Sequence, residues 1–285
     1  MNYKDSFSGS KFQLLEKDKL IYIKKFYKKL NKRDLKSLKK QRSFKSFFIK
    51  NYKVQSANIK AIDKKKKLVT LNYYPGLSGS ELILNSDLHV YKILNFFLEQ
   101  YVNNLIETAE FEIFDEKPYL TKCEEIKKKT IPKYINLYKK IFKNICMKLD
   151  KVEINIKGKC HGDLTLSNII INNNLKKIIL IDFLETFNES PLQDICKLIQ
   201  DLRLYWSSRR FNNTNMLRAK IFCDNLKPFT LIKKLPLYKI LDLEMSMTLL
   251  RILPYVTEND HKTIEWLENS HDKLSYNFYK NIWEY

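Results

Sequence analysis

The residues whose types and spacing could do chemistry lie in "GKCHGDLTLSNIIINNNLKKIILIDFLET", positions 158–186. A His-Gly-Asp places Asp163 five positions before Asn168, and Asp182 follows fourteen positions after that Asn. Moving a phosphoryl group from ATP is chiefly a matter of positioning and charge neutralisation. It needs a carboxylate to orient or deprotonate the accepting hydroxyl. It also needs oxygen ligands for a Mg²⁺ ion that bridges the phosphates. Asp163 can be that base, and Asn168 and Asp182 offer one neutral and one anionic oxygen. The plainer reading is a β-hairpin with polar residues at its ends. The runs "IIIN" and "KIILIDF" predict such a hairpin through 172–177, and it would return Asp182 close to Asn168.

The elements that must position these residues follow from periodicity. "KFQLLEK" and "KLIYIKKFYKK" read as strands separated by "DK". In "KRDLKSLKKQRSFKSFFIK", apolar Leu35, Leu38, Phe44, Phe47 and Phe48 recur at helical spacing, so one helix is expected across the stretch. "YKVQSANIKAID" and "KKLVTLNYY" read as two further strands around a "DKKKK" turn, and "PGLSG" breaks the pattern. Beyond it, "LHVYKILNFFLEQYVNNLIE" and "IPKYINLYKKIFKNICMKL" are helical, and helices resume from "SPLQDICKLIQDLRLYWSS" to the end. The expectation is an α+β protein of two lobes with a cleft between them. Residues 1–75 form a small β-rich lobe with one helix, 76–80 a hinge, and 81–285 a larger, mainly helical lobe with an inserted hairpin.

Composition narrows the function classes. The N-terminal "MNYKDSFSGSKF" lacks the apolar core of a secretion signal, and no run approaches the roughly 18 apolar residues of a membrane span, so a soluble, cytoplasmic protein is expected. The five cysteines are odd in number and form no CxxC, which argues against a disulfide framework or a structural zinc site. The net charge of +20 raises nucleic-acid binding, but only seven of the 52 basic residues are Arg, the usual reader of base edges. The excess Lys is spread along the chain, so no dedicated nucleic-acid function is expected, although the field favours an anionic ligand such as a nucleotide. The five glycines, at 9, 76, 79, 158 and 162, all mark junctions around the expected cleft.

"HGDLTLSNII" followed by "IDF" resembles the aminoglycoside phosphotransferase and choline kinase group, whose usual motif is H-G-D-x-x-x-x-N and then I-D-F or I-D-W. The resemblance implies a protein-kinase-like fold using ATP and Mg²⁺. It further implies Asp163 as catalytic base, Asn168 and Asp182 as magnesium ligands, and His161 and Asp194 as braces of the catalytic loop. "SFSGSKFQLL" resembles the phosphate-covering loop, with Ser8, Gly9 and Ser10 small enough for backbone N–H groups to approach phosphates; a plain turn is the equal alternative. The phosphate-contacting Lys belongs on "LIYIKKFYKK", where alternation favours Lys25, facing as Ile21 and Ile23 do, over Lys24, which would bring Tyr22 with it. The family's Lys pairs with a helix Glu, but this helix has none, and Gln41 is the expected substitute. Leu184 stands after Phe183 where Gly is common. Glu185 then reads either as an aid to metal or substrate or as an exposed loop carboxylate. Tyr73 or Tyr74 could pack on adenine, with a core or surface Tyr as the alternative.

Position 165, two after the base, is Thr where Ser/Thr protein kinases place Lys, and no "APE" follows Asp182. A small-molecule hydroxyl compound is therefore the expected acceptor. Its candidate contacts are Trp206, Arg209, Arg210, Arg251 and Tyr255: aromatic residues would cage a quaternary ammonium, and Arg would bind an anionic or sugar group. Trp206 and Trp266 also read as core residues. A sugar or similar alcohol ranks above choline, and choline above aminoglycosides. The alternative is a nucleotide-binding pseudokinase or regulatory module without turnover.

Overall fold

The computed structural model describes residues 4–5, 11–17, 20–85 and 88–283. In chain order the elements are strands β1 (Lys4–Asp5), β2 (Lys11–Lys17) and β3 (Leu20–Phe26), helix α1 (Lys32–Arg42), then strands β4 (Phe47–Ile49), β5 (Tyr52–Ser56), β6 (Ile59–Asp63), β7 (Leu68–Asn72) and β8 (Leu77–Ser78). Helices α2 (Gly79–Asn85) and α3 (Leu88–Glu107), strand β9 (Glu110–Ile113), helices α4 (Lys117–Lys129) and α5 (Ile135–Leu149) and strand β10 (Ile154–Lys157) follow. Strands β11 (Ile169–Asn172) and β12 (Lys177–Leu180) precede helices α6 (Leu192–Leu202), α7 (Asn213–Asp224), α8 (Tyr238–Leu250) and α9 (His261–Trp283). The chain divides into two compact units, Met1–Gly79 with Ser167–Glu185, and Ser80–Leu166 with Thr186–Tyr285.

The first unit holds two five-stranded sheets, ordered β1-β2-β3-β7-β6 and β4-β5-β12-β11-β8. Leu38 of α1, with Ile59, Val69 and Leu71, makes a buried cluster against which Ile23, Tyr27 and Leu35 pack. Helix α1 begins where the sequence supplies a capping box: the Asn31 side chain accepts the Asp34 N–H at 3.0 Å, and the Asp34 carboxylate accepts the Asn31 N–H at 2.9 Å. It stops at Arg42, earlier than its apolar spacing predicts. Phe44 instead sets its ring edge-on to Phe183 at 5.4 Å, and Phe47 opens β4, which pairs antiparallel with β5. Aromatic packing beyond the helix end uses the same spacing that a longer helix would. The expected single strand over "YKVQSANIKAID" is likewise two strands, because β5 and β6 belong to different sheets.

The hairpin β11–β12 pairs Ile169 with Leu180 and Asn172 with Lys177. Its turn is closed by the Asn172 side chain, which accepts the Leu175 N–H at 2.7 Å, and by Lys176 in the left-handed region at φ 48°. The hairpin is held from both sides: β12 runs parallel to β5, and β11 antiparallel to β8. Gly76, at φ 153°, makes the second pairing possible, since a Cβ there would lie 2.6 Å from the Ile171 carbonyl oxygen.

Among its described residues, the second unit is helical and turn-like apart from the β9–β10 pair. Helix α3 buries one stripe, Val90, Leu94, Phe97, Leu98, Tyr101, Val102 and Leu105. Helix α8 is buried along its whole C-terminal part, from Leu243 to Leu250, and packs against α5, α6 and α9. Among the described residues, no helix is long and apolar enough to cross a membrane. A mixed sheet-bearing unit and a helical one make this an α+β protein.

Candidate active site

In the second unit the His-Gly-Asp loop leaves β10 and is tied down before it ends. Asp194 in the first turn of α6 is fully buried, and its carboxylate accepts the N–H of His161 at 2.6 Å and of Gly162 at 2.7 Å. A buried carboxylate is tolerated only when hydrogen-bonded, and these two bonds are short because the acceptor is charged. Gly162 adopts φ 90°, a conformation that suits glycine. The His161 ring is also fully buried, and its Nδ1 accepts the Asp163 N–H at 3.2 Å. It sits as a brace, turned back on the loop.

Two further residues hold this loop, and the sequence reading missed both. Lys197 Nζ lies 3.1 Å from Asp163 Oδ1. Buried Asp201 accepts the Leu166 N–H at 2.6 Å, the Ser207 N–H at 2.9 Å and the Ser207 hydroxyl at 2.8 Å. Burial pushes the Asp201 carboxyl up, against the pull of these donors. At Asp163, burial also pushes the carboxyl up, but the Lys197 ammonium, aided by His161 and Arg251, outweighs it and holds the group below the ordinary aspartate range. The available signal was spacing, since 194, 197 and 201 fall on one face of a helix.

In the first unit, Asn168 ends a short 3-10 turn (Leu166–Asn168) and is buried. Its carbonyl accepts the Ile181 N–H at 3.1 Å, which extends the hairpin ladder one step beyond the Ile169–Leu180 pair. Asp182 is next and turns out of the strand at φ 58°, a left-handed conformation that a short polar side chain tolerates better than most. The hairpin thus sets an amide and a carboxylate at adjacent ladder positions. Lys25 of β3 reaches the same carboxylate, with Nζ 2.9 Å from Asp182 Oδ1. Its ammonium is buried, between the rings of Phe12 and Tyr27 at 5.3 Å each. Burial lowers its proton affinity, Asp182 and Tyr27 raise it more, and the net position is above an ordinary lysine, so Lys25 is charged at neutral pH.

Gln41 lies elsewhere than the sequence predicts. Its buried side chain donates to the Ala57 carbonyl at 2.7 Å, and its own carbonyl accepts the Ser56 hydroxyl at 2.8 Å. Coming from the last turn of α1, it satisfies the backbone between β5 and β6, while Lys25 pairs with Asp182. The segment after Phe183 instead carries the contacts to α1. Arg33 donates to the Glu185 carbonyl at 3.2 Å, the Glu185 N–H donates to Ser37 Oγ at 2.8 Å, Lys36 Nζ lies 2.9 Å from Glu185 Oε1, and Lys40 donates to the Leu184 carbonyl at 3.2 Å.

The other predicted residues scatter. Ser8, Gly9 and Ser10 lie outside the described residues. Tyr73 is exposed at the end of β7, and the Tyr74 hydroxyl accepts the Asn58 N–H at 3.3 Å. Trp206 packs edge-on to Trp266 at 4.8 Å, with the Arg209 guanidinium 3.5 Å above its ring, so this pair welds the turn after α6 to α9. Arg210 bonds Asp260 at 2.6 Å. Arg251, just past α8, donates to the Gln193 side chain at 2.6 Å and adds to the field on Asp163. Tyr255 is half-exposed.

The donor set of Asn168 and Asp182 fits Mg²⁺, which binds through one or two protein oxygens and keeps the rest of its shell for water and phosphate. Among the described residues no group of three or more His, Cys, Asp or Glu could hold a metal ion by itself.

A family model described as the ecdysteroid kinase-like family matches residues 86–202, the stretch from α3 to α6 that carries the loop, the hairpin and Asp194, Lys197 and Asp201. No curated protein matches the chain. The match suggests a small-molecule, kinase-like phosphotransferase. The matched stretch, a little under half of the chain, is similar to a family of the protein-kinase-like superfamily related to the choline kinase and aminoglycoside phosphotransferase group.

Proposed function

We propose that the protein is an ATP- and Mg²⁺-dependent phosphotransferase that moves the γ-phosphoryl group to a hydroxyl of a small molecule. The observation that carries this reading is the hairpin register, which sets Asn168 and Asp182 at adjacent ladder positions with Lys25 on the same carboxylate. Residues 1–75 serve as the nucleotide-binding lobe, 76–80 as the hinge, and 81–285 as the catalytic and acceptor-binding lobe. Asp163 orients the acceptor hydroxyl and takes its proton. Lys25 steadies the phosphates, Ser8–Ser10 supply backbone N–H groups to them, and exposed Tyr73 packs on the base. Asn168 and Asp182 hold the Mg²⁺, which when bound neutralises phosphate charge. The field of a chain with net charge +20 draws the nucleotide in from solution. Arg251, whose charge acts on Asp163, and Tyr255 serve as acceptor contacts, and they suit a sugar or related polyol more than a polycation. The description of the matching family model adds hydroxylated steroids to the acceptors worth offering. Action in the cytoplasm fits the ATP requirement.

The test is Mg²⁺-dependent ADP release against a library of sugars, amino alcohols, aminoglycosides and hydroxysteroids. Asp163→Ala is expected to bind ATP as the parent does and to lose turnover by several orders of magnitude. Near-normal turnover in that variant sinks the assignment of the base. The second reading, a nucleotide-binding module without turnover, is favoured by one observation: Gln41 is committed to the Ala57 carbonyl, so no α1 side chain takes the place of the helix Glu at Lys25. ATP binding with no ADP release across the whole library selects that reading.

A further inference from the structure

One face of α6 grips the 161–166 loop at three points. Asp194, Lys197 and Asp201 follow at i, i+3 and i+7, the spacing that stacks side chains along a helix face. Asp194 holds the backbone N–H groups of His161 and Gly162, and Asp201 holds that of Leu166. Lys197, between them, reaches a side chain of the loop, the Asp163 carboxylate at 3.1 Å. The Lys197 side chain is 12% exposed, so its ammonium is largely out of water. Such burial is costly unless an anion answers it. Thr165, two positions after Asp163, is buried and uncharged, so the loop itself brings no cation to that position. The other groups that act on Asp163 are His161 from the loop, whose Nδ1 accepts the Asp163 N–H, and Arg251 from the end of α8, whose guanidinium donates to Gln193.

We infer that Lys197 is a positioning residue for Asp163, fixing the carboxylate and balancing its charge from α6 in place of a cation in the loop. The inference rests on reading Asp163 as the base. A helix-borne partner differs physically from a loop-borne one: its stem is anchored by a packed element whose neighbours at 194 and 201 fix the loop backbone at the same time. The carboxylate and the backbone that carries it are thereby indexed to one rigid body. A hydroxyl bound against Asp163 then meets a base already ionised and already oriented, and no reorganisation is needed when the proton moves.

The test does not require turnover. The carboxyl carbons of aspartate are followed by carbon-13 NMR through an acid titration of the full chain, and the Asp163 signal is identified by its loss in Asp163→Asn. The wild-type midpoint is expected below the roughly 3.9 of an unperturbed aspartate. Lys197→Met, which keeps the length and removes the charge, is expected to raise it by about 1 pH unit or more, and Lys197→Arg to leave it near wild type. A wild-type midpoint at or above that reference overturns the inference, as does a Met variant whose midpoint does not move. If the Met variant does not fold, the wild-type and Arg titrations still decide, because an Arg midpoint raised above the reference also overturns it. The acidic limb of Mg²⁺-ATP consumption should move upward in the Met variant and return in the Arg variant, which a merely structural role for Lys197 would not produce. A chain that consumes no ATP with any acceptor refutes the proposed function, and the NMR titration then judges the Lys197 assignment separately.

Discussion

Asp194→Asn probes the strongest of these grips with the smallest change of shape. The native carboxylate is fully buried and accepts two backbone N–H groups, at 2.6 and 2.7 Å. An amide in its place keeps one acceptor and turns an NH₂ toward the other N–H, two donors face to face. One charge-assisted bond, about 1.5–3 kcal/mol, is lost. A buried N–H is left without an acceptor, at a further cost of about 1–3 kcal/mol. The surviving bond also weakens, because its acceptor is now neutral. The sum is on the order of 4 kcal/mol, or on the order of 10 °C in thermal midpoint for a unit of this size. Circular dichroism melts at neutral pH measure it. Asp272→Asn is the matched control: Asp272 pairs with Lys140 at 2.7 Å, but both side chains are about half exposed. An exposed pair is worth roughly 0–1 kcal/mol, so this variant should melt within about 2 °C of wild type. If the two variants melt alike, the loop is not held by Asp194 as the distances indicate, and the account of the 161–166 loop fails.

Two further outcomes follow from the polar contacts of each unit. Reversing the Lys36–Glu185 pair tests the contact between α1 and the segment after Phe183. Lys36→Glu and Glu185→Lys should each lower ATP affinity in calorimetric titration, because each sets like charges against each other beside the Asp182 segment, and the double variant should recover most of the loss. A double variant no better than the worse single variant would show that the pair does not register this segment. Tyr119→Phe removes the phenol that donates to buried Glu244 at 2.6 Å. Burial pushes the Glu244 carboxyl up, and the Tyr119 hydroxyl, Arg251, Asn188 and Gln193 pull it back. Loss of the hydroxyl penalises the ionised form alone. The folded state then holds its proton to higher pH than the unfolded one, and stability falls as pH rises through that window. Urea midpoints at pH 4.5 and 7 should therefore show a cost of about 1–3 kcal/mol at the higher pH and less at the lower; a cost independent of pH would exclude Glu244 as the group concerned.

How much of this was legible in the sequence depends on the range of the interaction. The hairpin from Ile169 to Leu180 could be read from alternation and an Asn-rich turn, because its register and closure are local. The pairing of β12 with β5 could not, since a parallel partner more than a hundred residues away leaves no periodic trace. Helix α1 was read too long because Phe44 and Phe47 keep helical spacing while packing among aromatic rings beyond its end. Asp194 was legible through the motif it resembles. Lys197 and Asp201, on the same face of the same helix, were legible only once the loop is known to lie against it.

The residue types around the hairpin explain why Gln41 could be spared from Lys25. In the pattern the sequence resembles, the helix brings the acid and the strand brings the lysine. Here α1 brings Arg33, Lys36 and Lys40, and the segment after Phe183 brings the acceptors: the carbonyls of Leu184 and Glu185 and the Glu185 carboxylate. The polarity of the contact between helix and hairpin is reversed, yet its physical task, tying α1 to the segment that carries Asp182, can be met by either sign. With that tie made at positions 184 and 185, Lys25 is left to Asp182 itself. A glycine at 184 would make this segment more mobile, and Leu184 reduces that freedom. The departures in "FLET" and the missing helix Glu are therefore one change rather than two. A Gln41→Glu substitution would not restore the usual ion pair, because the side chain at 41 is directed to the Ala57 carbonyl, and a carboxylate there would face an acceptor. The expected result is lower stability and no gain in ATP affinity; a Gln41→Glu variant that binds ATP more tightly would show that α1 retains the family's polarity.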